Sequence, residues 1–155
     1  MYVAFYKGRG TILDWIIRAA TRSPYSHVEI IDRMPGIGEN PIGFTSSPRD
    51  GGVVVREIPW RPEHWDVVFV PWTNGEKAMA FIREREGAGY DWLGILFTHA
   101  LGIGWQSSRR WTCPELIGTV IGLERAWRMA PGDLHAALSF AIRKARPIPA
   151  RLVTE

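Results

Sequence analysis

Ile42-Gly43-Phe44-Thr45-Ser46-Ser47-Pro48-Arg49-Asp50-Gly51-Gly52-Val53-Val54-Val55-Arg56-Glu57-Ile58 reads as two extended arms around a break. Proline, aspartate and paired glycines over Pro48 to Gly52 form a strong turn signal, and the β-branched run Val53 to Ile58 returns along Ile42 to Ser47. A hairpin makes antiparallel neighbours. Upstream, His27-Val28-Glu29-Ile30-Ile31-Asp32 alternates, with Val28 and Ile30 on one face and His27, Glu29 and Ile31 on the other. The glycine- and proline-rich run Pro35 to Pro41 joins it to the hairpin. Tyr2 to Tyr6 predicts a further strand, stopped at Lys7-Gly8-Arg9-Gly10, and Asp66 to Val70 predicts another. Between the first two strands, Ile12, Leu13, Ile16, Ile17 and Ala20 recur at helical spacing over Thr11 to Thr21. Asp14 stands in the first turn, where the helix dipole favours an anion, and Ser23-Pro24 closes the element.

From Asn74 the period changes. Ala78, Met79, Phe81 and Ile82 sit among Glu and Arg until Gly87-Ala88-Gly89. Further helices are expected within Asp91 to Leu101, from Cys113 to about Glu124, and from Gly132 to about Lys144, with a loop around Gly102 to Trp111. Strands first and helices second, without βαβ alternation or internal repeat, predict an α+β fold. Its antiparallel sheet lies in the N-terminal half and packs against C-terminal helices. One domain is expected over 1–146, and 147–155 as a flexible tail.

Composition narrows the function. With 46% apolar and 23% charged residues, the chain can offset its ordering entropy by burial, which excludes disorder. A single cysteine excludes an internal disulfide and any site of paired thiolates. The net charge of +3 is too small for a nucleic-acid binder, and Arg109-Arg110 reads as a solvated loop. The N-terminus lacks a secretory pattern, so synthesis in the cytoplasm is expected. The longest apolar stretch, Trp92 to Trp105, is broken by polar and glycine residues and is too short to span a bilayer. Eight tryptophans, spread from Trp15 to Trp127, suit core and rim packing better than a stacking platform.

The stretch that carries chemistry is Trp111-Thr112-Cys113-Pro114-Glu115-Leu116-Ile117. Thr112 and Glu115 have capping-box spacing, which puts Cys113 at the first helical position, where unpaired N–H groups and the dipole favour a thiolate. Pro114 fits because the first turn needs no donor from it. Gly118 and Gly122 are expected to let this helix pack tightly on the sheet. A thiol nucleophile needs a base to share its proton. Of the four histidines, His64 lies in a Pro- and Trp-rich connection, His135 near a helix start, and His99 in an apolar helical run. His27 is on a strand with Glu29 beside it on the same face, so Glu29 is placed to orient the imidazole; Ser47, on a neighbouring strand, is the rival for that role.

Tyr25-Ser26-His27-Val28-Glu29-Ile30 and Trp111-Thr112-Cys113-Pro114-Glu115-Leu116-Ile117, in this order, resemble the circularly permuted branch of the NlpC-type papain-like cysteine hydrolases, which includes the YiiX-like proteins. Arg49-Asp50-Gly51-Gly52-Val53 and Gly89-Tyr90-Asp91-Trp92 also resemble segments of such proteins carried by bacteria and tailed phages, and the likeness runs from about Tyr2 to Leu138. Pro114 stands where many relatives have Ser. The family's third polar residue does not map cleanly onto Glu29 or Ser47.

The resemblance implies a permuted papain-like fold and hydrolysis or transfer at an amide or ester carbonyl through a thioester. Substrates of the family range from cell-wall peptides, especially γ-D-glutamyl amides, to lipid acyl groups. The expected catalytic residues are Cys113, His27 and Glu29, with no metal or organic cofactor, and the expected partner is a cell-wall peptide or other acyl substrate. The alternatives are a non-catalytic binding module on the same fold, with Cys113 kept for packing, and a lipid acyl hydrolase or transferase.

Overall fold

The computed structural model describes residues 1–92 and 109–145. Its sheet begins with β1 (Tyr2–Tyr6), followed by helix α1 (Ile12–Thr21), then β2 (His27–Ile31), the hairpin β3 (Ile42–Ser47) and β4 (Gly52–Glu57), and β5 (Trp65–Phe69). After α2 (Gly75–Arg83) come two short strands, β6 (Gly89–Tyr90) and β7 (Arg110–Trp111), then α3 (Cys113–Ile121) and α4 (Pro131–Ala145). The order across the sheet is β5-β1-β2-β3-β4-β6-β7. Every pairing is antiparallel except β6 with β7. The α+β architecture expected from the strand-then-helix pattern is therefore present.

The sheet is not confined to the first half, however. Two-residue strands are too short to carry an alternation pattern, and β6 joins through Gly52, which pairs with Gly89. Gly52 has a φ of 156°, and a Cβ there would meet the Ala88 carbonyl oxygen at 1.9 Å, so only glycine admits this approach. Arg110, expected in a loop, lies in β7. The helix expected within Asp91 to Leu101, most of the loop from Gly102 and the tail 147–155 lie outside the described residues.

The two faces of the sheet carry different loads. Val3, Phe5, Val28, Ile30, Phe44 and Val53 face α2, α3 and α4, where Ile82, Leu116, Ile117, Leu134 and Leu138 complete the main core. On the opposite face Ala4, Ile31, Ile58 and Trp65 form a smaller cluster, with Trp60 stacked on Trp65 at 5.5 Å. The alternation of β2 thus puts Val28 and Ile30 into the core and leaves His27 and Glu29 on the thinner side.

Gly118 and Gly122 serve ends other than sheet packing. A Cβ on Gly118 would lie 2.6 Å from that of Ala126, so this glycine admits the 3₁₀ turn Ala126–Arg128 against α3. Gly122 closes α3 in the left-handed conformation, with a φ of 86°.

Candidate active site

Cys113 is the first residue of α3, and the local sequence fixes it there. Thr112 Oγ1 accepts from the Glu115 N–H and the Glu115 carboxylate accepts from the Thr112 N–H, both at 3.4 Å, completing the expected capping box. Ser46 on β3 donates to the Trp111 carbonyl at 2.7 Å, tying the approach to the helix to the sheet. The thiol is 2% exposed, and α3 packs across β2 and β3.

His27 opens β2, opposite Tyr6 of β1. Its Nε2 lies 3.1 Å from Glu29 Oε1 and 3.4 Å from Thr45 Oγ1. Burial, the largest influence on the ring, opposes its charge. The neighbouring Cys113 sulfur, by charge and by hydrogen bond, and then Glu29, overcome that and push the pKa up to about 10. The raised value favours the charged ring, which donates from Nε2 to Glu29.

Glu29 is a buried strand residue, 1% exposed. Its Oε1 also accepts from Arg56 at 3.1 Å, and Arg56 Nε in turn donates to Asp50 Oδ2 at 3.1 Å. Groups of alternating charge run Asp50, Arg56, Glu29, His27, and the His27 ring neighbours the Cys113 sulfur. Glu29 Oε2 makes no hydrogen bond among the described residues and points at Gly43, where a Cβ would lie 2.1 Å away. The strand pairing explains this: Gly43, opposite Arg56, leaves room for a carboxylate under the guanidinium.

The structure brings Cys113, His27 and Glu29 together and sets the other candidates apart. Ser47 Oγ accepts from the Arg49 and Asp50 N–H groups and so shapes the hairpin turn instead of holding His27. His64 packs edge-on to Tyr6 with ring centroids 6.0 Å apart. His135 packs against Phe5 and Tyr25, and the Tyr25 hydroxyl donates to Asp66 at 2.7 Å. His99 lies outside the described residues.

Tyr90 is the residue that sequence reasoning missed. It is 5% exposed, and its hydroxyl hydrogen-bonds to the Cys113 sulfur. Burial first, then the charges of Cys113 and Asp91, push its pKa well above the ordinary tyrosine value, so it stays a neutral donor. The signal for it was in Gly89-Tyr90-Asp91-Trp92, which resembled family segments but carried no spacing that assigned a role.

Two hollows flank these residues, one beside His27 and one beside Cys113. A groove of about 550 Å³ runs past His27 and Glu29 between α1 and the hairpin, with Arg49, Arg56, Arg61 and His64 in its walls. A smaller cavity of about 130 Å³ ends at Cys113 and is walled by Leu13, Ile16, Ile17, Ala20, Trp92 and Met129, among others. Leu13, Ile17 and Ser26 line both. The arrangement offers a thiol at a helix N-terminus, a charged imidazole, a buried carboxylate behind it and a neutral hydroxyl beside the sulfur, which is the equipment of acyl transfer. No protein-family model matches the chain, and no curated protein matches it.

Proposed function

We propose that the protein is a thiol hydrolase that works through an acyl-enzyme. The observation that carries this reading is the unbroken line from Arg56 through Glu29 and His27 to the sulfur of Cys113. A cysteine kept only for packing needs no imidazolium beside it, and the binding-module alternative leaves the buried Glu29 and its two cationic partners without a purpose.

In this mechanism the Cys113 thiolate attacks an amide or ester carbonyl and forms a C–S bond. This reading assigns the oxyanion to the Cys113 N–H, at the start of α3, and to the Tyr90 hydroxyl beside the sulfur. As the C–N or C–O bond breaks, His27 gives its proton to the departing amine or alcohol. Water then adds to the thioester, giving a proton back to His27 and releasing the acid. Glu29 keeps the ring oriented and favours its charged form throughout. The resemblance adds a cell-wall peptide amide as substrate. A second reading, hydrolysis or transfer of a lipid acyl group, is favoured by the apolar walls of the cavity at Cys113.

Intact-mass measurement after mixing with γ-glutamyl peptides or with activated esters tests the reading. A covalent acyl adduct that is absent in Cys113→Ala and accumulates in His27→Ala supports it. Turnover that survives in Cys113→Ala overturns it.

A further inference from the structure

Strand β5 ends the sheet, and no described strand follows it on the side turned away from β1. The Val70 N–H donates to the Met1 carbonyl and the Lys7 N–H to the His64 carbonyl, both at 2.8 Å. In an antiparallel ladder such pairs alternate, so Asp66 and Val68 point their backbone groups at β1 while Val67 and Phe69 point theirs outward. The Trp65 carbonyl points outward as well, and its N–H is taken up by the Pro62 carbonyl. Proteins ordinarily protect such an edge with lysine, proline or a bulge, and Trp65-Asp66-Val67-Val68-Phe69 has none of these.

A groove of about 550 Å³ follows this edge, with Val67, Val68 and Phe69 of β5 on one side and Ser139, Ile142 and Arg143 of α4 on the other. Val68 and Asp66 lie on the face that carries the helices, where Val68 packs on the main core and Asp66 accepts from the Tyr25 hydroxyl. Val67 packs on the smaller cluster of the thinner face, and Phe69, on that same face by alternation, is 52% exposed. Arg143 is exposed and forms no salt bridge among the described residues.

We infer that β5 pairs with β5 of a second copy of this chain, antiparallel about a two-fold axis at Val67, so that one sheet runs through both. The strand is complementary to itself in this register. The outward N–H and C=O of Val67 meet those of Val67 in the second copy, and each Phe69 N–H meets a Trp65 carbonyl. On the thinner face, Trp65 comes opposite Phe69 of the second copy, so the apolar row continues across the seam and the exposed Phe69 ring is covered. On the other face, Asp66 comes opposite Val68 of the second copy, which brings its carboxylate to the groove that Arg143 lines. The Asp66 side chain is 38% exposed although it accepts from Lys7 and Tyr25, so it has room for a further donor. An axis one residue earlier would set the two Asp66 carboxylates face to face, and an axis one residue later would set Trp65 against Pro71, which has no N–H. The pairing is independent of the chemistry at Cys113.

The test is the mass of the full chain in solution, measured by sedimentation equilibrium over a range of concentrations. Twice the 17.5 kDa of one chain is expected. Val67→Thr, which keeps a neutral β-branched side chain, should still dimerise. Val67→Lys and Val67→Asp each set like charges against each other on the axis, and each should weaken the dimer at least about tenfold. Mixed in equal amounts, these two variants should associate again as a heterodimer in native mass spectrometry, because opposite charges then meet. Arg143→Glu, at an exposed helix position, should also weaken the dimer by facing Asp66 of the second copy, and it carries the test if a Val67 variant does not fold. The proposal is overturned by a wild type that stays monomeric at every concentration, whatever else takes the edge. It is equally overturned by a dimer that Val67→Lys or Arg143→Glu leaves intact, or by folded Val67 variants that do not associate when mixed.

Discussion

Gly43→Ala perturbs the candidate site without touching any group that takes part in chemistry. The added methyl would sit 2.1 Å from Glu29 Oε2 and 2.5 Å from Ile58 Cδ1, both well inside van der Waals contact. Ile58 can swing its terminal methyl aside. Glu29 cannot yield as easily, because its other oxygen is held at 3.1 Å by both Arg56 and His27. Moving the carboxylate by the ångström or so that the methyl needs loosens both bonds, in a side chain only 1% exposed. Overpacking of this kind costs about 1–3 kcal/mol, and at this chain length each kcal/mol lowers Tm by about 2–4 °C, so a drop of roughly 2–12 °C is expected. With Glu29 displaced, His27 loses part of the support that raises it to about 10. Its titration midpoint, read from the ring C–H signals by NMR, should fall, and alkylation of Cys113 at pH 6 should slow. Gly51→Ala is the control: it meets nothing within 4 Å but has a φ of 82°, so it carries backbone strain without pressing on Glu29. If Gly43→Ala melts like the wild type and His27 titrates unchanged, Glu29 is not the group that holds the imidazole.

Glu29→Gln keeps the shape and removes the charge, so the His27 midpoint should fall while Arg56 remains bound to Asp50. Since His27 is raised in the fold above its unfolded value of about 6.5, its contribution to stability is fully present below that pH and is lost as pH rises toward 10. The Tm gap between wild type and His27→Gln should accordingly be widest in mild acid and close by pH 10 in thermal scans. Thr112→Ala removes the cap before the nucleophile and should cost about 0.5–2 kcal/mol, with slower alkylation of Cys113; denaturant titration and labelling read the two effects separately. Asp14 is held below the ordinary carboxylate value, for although burial opposes its charge, bonds from Thr11 and Ser26 and the charge of Arg49 prevail. Its contribution is present above about pH 4 and is lost as pH falls, so the stability deficit of Asp14→Asn should shrink in acid.

Local signals were legible where they were also the signals that build structure. The turn Pro48 to Gly52, the alternation of His27 to Ile31 and the capping box at Thr112 are each encoded within a few residues, and each places its element correctly. The pairing of His27 with Glu29 followed from strand periodicity alone. The second half of the support did not: Arg56 reaches Glu29 only because β4 pairs with β3 in the register that sets Gly43 opposite Arg56, and nothing in the sequence of β4 marks that contact. Ser47 shares a strand neighbourhood with His27 in the sequence, and only the fold shows that its oxygen caps the hairpin turn. Tyr90 escaped because β6 is two residues long and reaches the sulfur only through pairing with Gly52 and β7. The apolar stripe of α1 was visible as helical periodicity, which shows the apolar positions but not which of them the fold covers.

The central claim is that Cys113 and His27 share one proton-transfer unit. Its most direct measurement is the rate of iodoacetamide labelling of the folded protein from pH 5 to 9, read by mass spectrometry on wild type, His27→Ala, His64→Ala and His135→Ala. A charged imidazole beside a sulfur favours the anionic form of its partner, and the His27 pKa is raised to about 10. The wild type should therefore label readily at pH 6 with little change toward pH 9, as should the His64 and His135 variants. His27→Ala should label slowly at pH 6 and accelerate as the solution becomes alkaline. A wild-type curve that rises with pH like that of an ordinary thiol, or a curve displaced by His135→Ala and left in place by His27→Ala, would contradict the account.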